Sequence, residues 1–492
     1  MWYDIVAERF AEQSPCCLML RATLEHVFPD SFLDSVFDEH AQVQYQKDLL
    51  FSTVASLLTE VVLRVRPSLR NAYQERFPPA LQEQTHQAAQ PASLSQDQQE
   101  GPRLATLKSV YEKLQHTETG VCEALVAQTA GRCGALLDQF PAAANPQPIP
   151  GLHLRLCDGN FLAGTEHRLL PLRDSGSAAL PGMTLALREH DTGLISHLLC
   201  REDAHTNERS LFDWVLDWVR ADDLIAGDRN FCTLRFVRGI AQRDACYLIR
   251  HHQQVHRKDL SPLQYVGRTA TGEVYEKWVR LGEKKNGPVC RCIVVKLDEP
   301  TQDGETEVVL LSNVPKKKAN ALRLAETYLL RWRIEHSFQV LTDYLRCEVN
   351  TLGYPKAALL GFSLAVCAYN LLAVLQGALA QEVGRPKVEE ELSAFEVAEE
   401  IAQDYSGMQV ALPAEYWERF AELDSVAMAA WLRQIAARVW WPRYRKAKRS
   451  PKPSTPTEVK RTQRGSHRAT ARVLAEARAN RPRATPAGPG RF

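Results

Sequence analysis

The sequence predicts an α/β protein whose central domain is a layered unit of sheet and helices between helical terminal regions. Between residues 152 and 250, three strand-like segments are followed by helix, strand, helix and strand, the order of a layered α/β domain. Apolar residues recur at helical spacing in residues 1–76 and again in 355–442. Alternating apolar patterns in residues 251–314 predict a β-rich insertion.

Changes in composition and in apolar period divide the 492 residues into eight parts. They are an N-terminal helical region (1–77), a Gln/Pro-rich linker (78–103), a helical connector (104–150), the first part of the α/β domain (151–250), the β-rich insertion (251–314), a helix that completes the α/β domain (315–350), a C-terminal helical region (351–442) and a basic disordered tail (443–492).

The formal net charge of +1 conceals a strong asymmetry. Residues 443–492 contain fifteen Lys or Arg and two Glu, a net charge of +13, which leaves −12 for the first 442 residues. A basic, Pro-rich segment favours a polyanionic partner, and a solubilising tail is the competing interpretation.

Cysteine spacing and hydropathy favour a soluble protein of a reducing compartment. The twelve cysteines include no CxxC pair, so neither a zinc knuckle nor a disulfide framework is predicted. With no signal peptide at the start, we expect a cytoplasmic protein. The apolar run 357–375 contains Ser363, Tyr369 and Asn370, and we interpret it as a buried core helix rather than a membrane span.

Two aspartates are predicted at the carboxyl ends of strands. Asp158 ends an alternating segment that begins at Leu152, and Asp228 ends the segment that begins at Asp223. Sheets of α/β proteins place ligand sites at these ends. For each aspartate alone, a turn or helix cap is the simpler interpretation.

A third acidic residue lies on a predicted helix. Tyr328, Arg331, Glu335 and Thr342 are spaced three, four and seven apart, which places them on one helical stripe. Taken alone, Arg331 and Glu335 form an ordinary surface pair. Combined with the two aspartates, Glu335 would complete a cluster of oxygen ligands suited to Mg²⁺ or Mn²⁺.

Such a cluster could hold two ions for phosphodiester cleavage. A glycosidase pair of carboxylates is the rival use of the same residue types, and it explains neither the basic tail nor Arg331.

The blocks around these residues resemble the DDE transposases of the insertion-sequence-four class. The spacing Tyr328-x2-Arg331-x3-Glu335 is similar to the signature Tyr-x2-Arg-x3-Glu-x6-Lys of that family. Residues 157–160 (Cys-Asp-Gly-Asn) and 226–231 (Ala-Gly-Asp-Arg-Asn-Phe) resemble its two aspartate blocks. The resemblance covers residues 150–375.

The resemblance implies an RNase H-like mixed sheet flanked by helices, with Asp158, Asp228 and Glu335 binding two Mg²⁺ or Mn²⁺ ions. It also implies that Tyr328 and Arg331 contact DNA phosphates. Thr342 stands where the family has lysine, and it can bond a phosphate without adding charge.

Further candidate DNA contacts lie outside this signature. Lys316, Lys317 and Lys318 could supply positive charge, unless they form a solvated loop. Trp278 could stack on a base, although a packing role in the sheet is the commoner use of such a tryptophan.

The resulting hypothesis is a transposase that cleaves transposon ends and joins them to target DNA. We expect a homodimer in a synaptic complex, associated with the nucleoid, with residues 1–77 as a candidate region for binding the ends. The alternatives are an RNase H-like nuclease without strand transfer and an inactive DNA-binding protein derived from a transposase.

Overall fold

A computed structural model describes residues 2–44, 49–78, 105–165, 169–173, 179–301, 304–447 and 467–480. The predicted linker 78–103 lies outside these residues except for Pro78.

A ten-stranded mixed sheet forms the centre of the described structure, and a two-stranded sheet lies beside it. The order in the large sheet is β4-β3-β1-β5-β6-β11-β10-β9-β7, with β8 paired to β9, and β2 pairs with β12. The strands are β1 (His153–Phe161), β2 (Ala179–Leu180), β3 (Met183–Glu189), β4 (Ile195–Arg201), β5 (Asp223–Gly227), β6 (Cys246–Arg250), β7 (Arg257–Asp259), β8 (Gln264–Thr269), β9 (Gly272–Leu281), β10 (Val289–Leu297), β11 (Glu307–Ser312) and β12 (Arg468–Ala469).

Five strands of this sheet have the RNase H-like arrangement that the resemblance implied. β1, β3 and β4 are antiparallel neighbours, and β5 and β6 continue from β1 as parallel strands. Ile225 packs on one face of the sheet, and Leu224 and Ala226 pack on the other. A strand that is buried on both faces has consecutive apolar residues in its sequence, as Leu224-Ile-Ala shows for β5.

The β-rich segment 251–314 extends this sheet instead of forming a separate layer. β11 pairs antiparallel with β6, and β10 and β9 follow beyond it. The alternating pattern of β9 places Val274 and Val279 in opposite cores.

Helices cover both faces of the sheet and form the terminal regions. The N-terminal and connecting helices are α1 (Trp2–Gln13), α2 (Pro15–Val27), α3 (Asp30–His40), α4 (Phe51–Val62), α5 (Leu69–Arg76), α6 (Leu107–His116) and α7 (Thr119–Leu137). One face of the sheet carries α8 (Phe212–Trp218) and α9 (Leu234–Ala241), and the other carries α10 (Ala321–Leu329) and α11 (Trp332–Asp343). The C-terminal helices are α12 (Pro355–Val383), α13 (Arg385–Glu391), α14 (Ala394–Ala411), α15 (Ala414–Ala421), α16 (Ser425–Ala436) and α17 (Thr470–Ala479).

Helix α12 is the central core helix of the fold. It packs against α2, α4, α6, α7 and α16. Among the described residues it is the one helix long and apolar enough to cross a membrane, and 89% of its most apolar window is buried inside the protein. Its burial agrees with the interpretation of residues 357–375 as a core helix.

Polar side chains of two helices form hydrogen bonds with backbone groups on the outer edge of β4. Asn370 on α12 accepts a hydrogen bond from the backbone N–H of Ile195 (2.9 Å) and donates one to its carbonyl (3.0 Å). Glu123 on α7 accepts a hydrogen bond from the backbone N–H of Cys200 (2.8 Å). Covering an edge strand in this way protects it from pairing with another chain.

The C-terminal segment contains folded structure where a disordered tail was expected. Residues 468–479 form β12 and α17, which dock on β2 through a small cluster of Val473, Leu172 and Ala179. Arg472 Nε lies 2.7 Å from Asp203 Oδ2. A few apolar residues within a basic segment thus hold residues 468–479 against β2. Residues 448–466 and 481–492 lie outside the described structure.

We expect Asn370→Ala to lower the free energy of unfolding by about 2–6 kcal/mol, because two backbone groups lose partners at about 1–3 kcal/mol each. Urea unfolding followed by circular dichroism would measure the loss. Ser363→Ala on the same helix is the control, because its buried hydroxyl contacts the thiols of Cys122 and Cys200, with Cys200 Sγ at 3.7 Å, and not the backbone groups of an edge strand. Equal losses for both variants would contradict this role of Asn370.

Candidate active site

Asp158 lies where β1 extends beyond its parallel neighbour. The pairing of β1 with β5 ends at Leu156 and Ala226, whereas pairing with β3 continues through Asp158 to Phe161. Asp158 is therefore inside a longer strand than predicted, but it still lies at the edge where β5 ends. We call this edge of the sheet the carboxylate edge.

Asp228 directly follows β5 and caps a short turn at the same edge. Its Oδ1 accepts a hydrogen bond from the backbone N–H of Asn230 at 2.8 Å, at the start of the 3-10 turn Arg229–Phe231. Asp228 thus occupies the strand end that the sequence predicted. β1 and β5 are parallel neighbours, so the two aspartates come from adjacent strands.

Glu335 reaches the carboxylate edge from the helical layer. The predicted single stripe is divided, because α10 ends at Leu329 and α11 begins at Trp332. Arg331 lies at this junction with helical backbone angles, and its backbone N–H donates to the Tyr328 carbonyl at 3.0 Å. Helix α11 packs on β1 and α12, which places Glu335 in its first turn beside the sheet.

Arg331 joins the helix to the sheet. Its Nη1 is 3.1 Å from Asp158 Oδ2, and its Nη2 is 2.6 Å from Glu335 Oε1. The Arg331 residue is only 7% exposed, so the interpretation as an ordinary surface pair does not describe it. The buried Nε of Arg331 has no hydrogen-bond partner within the part of the chain that the structure describes.

Negative charge at this edge exceeds what Arg331 compensates. Burial raises the pKa of Asp158 to about 7; Arg331 opposes the rise, and the charges of Asp228 and Glu335 add to it. Burial also raises the pKa of Tyr328 to about 12, so its hydroxyl is neutral. Within the described residues no three His, Cys, Asp or Glu side chains are close enough together to form a metal site. The guanidinium between Asp158 and Glu335 accounts for their separation.

Two arginines at the carboxylate edge were missed in the sequence. Arg229 follows Asp228, and Arg250 ends β6, the next parallel strand. Both contact the carboxylate of Glu305, with Arg229 Nη1 3.2 Å from Oε1. Burial lowers the pKa of Arg250, and the charges of Arg229 and Arg331 contribute. The rule that identified Asp228 could have identified Arg250, because β6 ends at the same edge.

Three of the predicted DNA contacts lie away from this edge. The ammonium of Lys316 is 2.8 Å from Glu276 Oε2, and that of Lys318 is 3.7 Å from Asp222 Oδ1. Asp222 precedes β5 whereas Asp228 follows it, a separation of roughly 20 Å along the strand. Lys317 is exposed between these two lysines.

Trp278 and Thr342 are also separate from the carboxylates. Trp278 is on β9, four strands from β5 and hence roughly 19 Å across the sheet. The residue is 38% exposed, and the Lys316 ammonium is 5.9 Å from the centroid of its ring. Thr342 lies two turns beyond Glu335, about 10 Å along α11, and its hydroxyl donates to the Phe338 carbonyl at 3.0 Å.

The comparison with protein families identifies the domain that contains this site. Residues 176–371 match the model of the transposase DDE domain, a range that includes Asp228 and Glu335 and begins after Asp158. No curated protein matches the chain. The insertion-sequence-four class stays a prediction. The RNase H-like sheet agrees with the family match, and residues 176–371 are thus similar to the transposase DDE domain family.

Proposed function

We propose that the protein is an active transposase that cleaves transposon ends and transfers them to target DNA, with Asp158, Asp228 and Glu335 as its catalytic carboxylates. The observation that carries this proposal is that a buried arginine contacts both the strand-borne Asp158 and the helix-borne Glu335, at the sheet edge where Asp228 follows the adjacent parallel strand. Their elements are far apart in the sequence but meet at one edge of a transposase DDE domain.

The chemistry of the carboxylates fits a divalent metal. All three donors are oxygens, which suit Mg²⁺ or Mn²⁺. The raised pKa of Asp158 reflects burial and uncompensated negative charge, both of which favour a bound cation. Two bound ions would supply an activated water and stabilise the leaving oxygen of a phosphodiester. Asp158, Asp228 and Glu335 are the residues that would hold them.

Arg331 has two roles in this proposal. In the protein alone, its guanidinium pairs with both Asp158 and Glu335 and compensates part of their charge. When the carboxylates hold metal, the guanidinium is free to bind a DNA phosphate, and its planar fork suits that geometry. The unpartnered Nε provides one further donor, and the neutral Tyr328 hydroxyl lies nearby.

The reaction consists of two displacements at phosphorus. Water attacks the phosphodiester at the transposon end, the P–O3′ bond breaks, and a 3′-hydroxyl is released. That hydroxyl then attacks a target phosphodiester, forms a new P–O bond and displaces the target 3′-oxygen. No oxidant or nucleotide cofactor is needed for either displacement.

DNA is the partner that follows from this reaction, as transposon ends and as target. Joining two ends in one event requires two such sites, so we propose a homodimer in the synaptic complex. A cytoplasmic, nucleoid-associated location follows from the substrate. Arg229, Arg250 and the basic segment 443–492 supply charge for contacts with phosphates.

We expect Glu335→Gln to abolish Mg²⁺-dependent cleavage of a donor plasmid that carries the coding region and its flanks. The cleavage rate should fall by more than the roughly 100-fold that is typical when a residue hydrogen-bonded to a metal ligand is removed, because Glu335 is itself a proposed ligand. Binding of the plasmid should remain. Gel assays of cleavage and of joined product would measure both steps.

Glu326→Gln is the matched control, because Glu326 is an exposed residue on α10 that pairs with Arg323 at 3.7 Å. Unchanged cleavage in Glu335→Gln would overturn the triad. Cleavage by the parent protein without joined product would favour the nuclease that lacks strand transfer. Binding by the parent without cleavage would favour the inactive DNA-binding protein.

We expect Arg331→Ala to lower the free energy of unfolding of the metal-free protein by on the order of 3 kcal/mol, because it leaves two carboxylates without their buried partner. Mg²⁺ should then stabilise the variant more than the parent. Thermal unfolding with and without Mg²⁺ would measure this difference. Arg333→Ala on α11 is the control, because Arg333 pairs with Glu389 instead. An equal response to Mg²⁺ in Arg331→Ala and the parent would contradict the role as counter-ion.

A further inference from the structure

Glu208 lies between the β1 backbone beside Asp158 and the turn that Asp228 caps. It begins a 3-10 turn, Glu208–Leu211, in the connection between β4 and α8. Its Oε2 is 3.3 Å from Nδ2 of Asn230, which donates to it. The backbone N–H of the same Asn230 donates to Asp228 Oδ1 at 2.8 Å. A continuous chain of hydrogen bonds therefore connects Glu208 to Asp228.

The other carboxylate oxygen of Glu208 lies against the backbone beside Asp158. A Cβ added to Gly159 would overlap Glu208 Oε1. Gly159 has no positive φ, so the glycine provides space here and not an unusual backbone angle. Its N–H donates to Asp158 Oδ1 at 2.9 Å. Glu208 thus touches the residue that orients the first aspartate.

Buried aromatic packing fixes the segment that carries Glu208. Leu211 and Phe212 follow it and are almost fully buried. The Phe212 ring stacks on that of Phe231 with centroids 5.1 Å apart, and Phe231 directly follows Asn230. Burial raises the pKa of Glu208, and the charge of Asp228 adds to the rise while the hydrogen bond from Asn230 opposes it. The contacts of Glu208 with Asn230 and Gly159 therefore come from a fixed segment and not from a freely moving side chain.

We propose that Glu208 is a positioning residue that holds the Asp158 and Asp228 carboxylates in the arrangement required for metal binding. It acts through Asn230 on Asp228 and through Gly159 on Asp158. The proposal rests on the proposed function, because it concerns the same metal-binding carboxylates. Residues that contact metal ligands without binding the metal orient those ligands, and their loss typically reduces metal affinity or activity by about 10–100-fold.

The test compares Glu208→Ala with Glu208→Gln. Glutamine keeps an oxygen that accepts from Asn230, whereas alanine removes it. We expect alanine to raise the Mn²⁺ concentration for half-saturation about 10-fold or more, and glutamine to stay close to the parent. Electron paramagnetic resonance of free Mn²⁺ measures this midpoint without reference to activity. Equal and large effects of both substitutions would overturn a positioning role through Asn230.

A second measurement uses the contact with Gly159. In Gly159→Ala the new methyl group displaces the flexible Glu208 side chain, so the variant should resemble Glu208→Ala. The double variant Gly159→Ala/Glu208→Ala should then have a midpoint close to that of either single variant. Independent roles would instead multiply the two effects, and that outcome would overturn the proposal.

Controls separate this proposal from the function on which it rests. Glu112→Ala removes an exposed glutamate that pairs with Lys108 on α6, and should leave the Mn²⁺ midpoint unchanged. If Glu335→Gln leaves cleavage intact, the triad itself is wrong. If Glu335→Gln is inactive while Glu208→Ala binds Mn²⁺ like the parent, only the role of Glu208 fails.

Discussion

A buried guanidinium between two carboxylates is the interaction on which the site depends. Arg331 lies at the junction of α10 and α11, and its two terminal nitrogens reach Asp158 on the sheet and Glu335 on the helix. A charge with 7% exposure requires partners, and here the partners come from two layers of the fold. The same contacts that neutralise the arginine therefore fix the helix against the end of β1.

The rest of the architecture brings these layers together. Helix α12 packs under α11 and simultaneously satisfies the outer edge of β4 through Asn370. The parallel pair β1 and β5 places its two aspartates side by side, because the carboxyl ends of parallel strands meet at one edge. Local contacts then set the orientation of each carboxylate, through Gly159 for Asp158 and Asn230 for Asp228.

Much of this was predictable because it depends on local pattern. The strand end at Asp228 and the buried helix around Asn370 followed from short apolar runs and their boundaries. The break between α10 and α11 did not, because it depends on how Arg331 meets the sheet and not on helix propensity. The docking of α17 depends on three distant apolar residues, Leu172, Ala179 and Val473, which no local pattern connects. Glu208 was missed for the same reason, since its partners lie 49 residues before it and 22 after it.

The pattern of charges at the carboxylate edge indicates how the site would respond to its substrates. Arg331 pairs with Asp158 and Glu335, while Arg229 and Arg250 both pair with Glu305. Every arginine in this set is thus paired with a carboxylate inside the protein. If Asp158, Asp228 and Glu335 held a metal, Arg331 would lose the two carboxylates as partners and would be free to pair with a DNA phosphate. Metal and DNA should therefore bind cooperatively. The metal would compensate the carboxylates, and the DNA phosphate would compensate the Arg331 charge that the metal leaves without a partner.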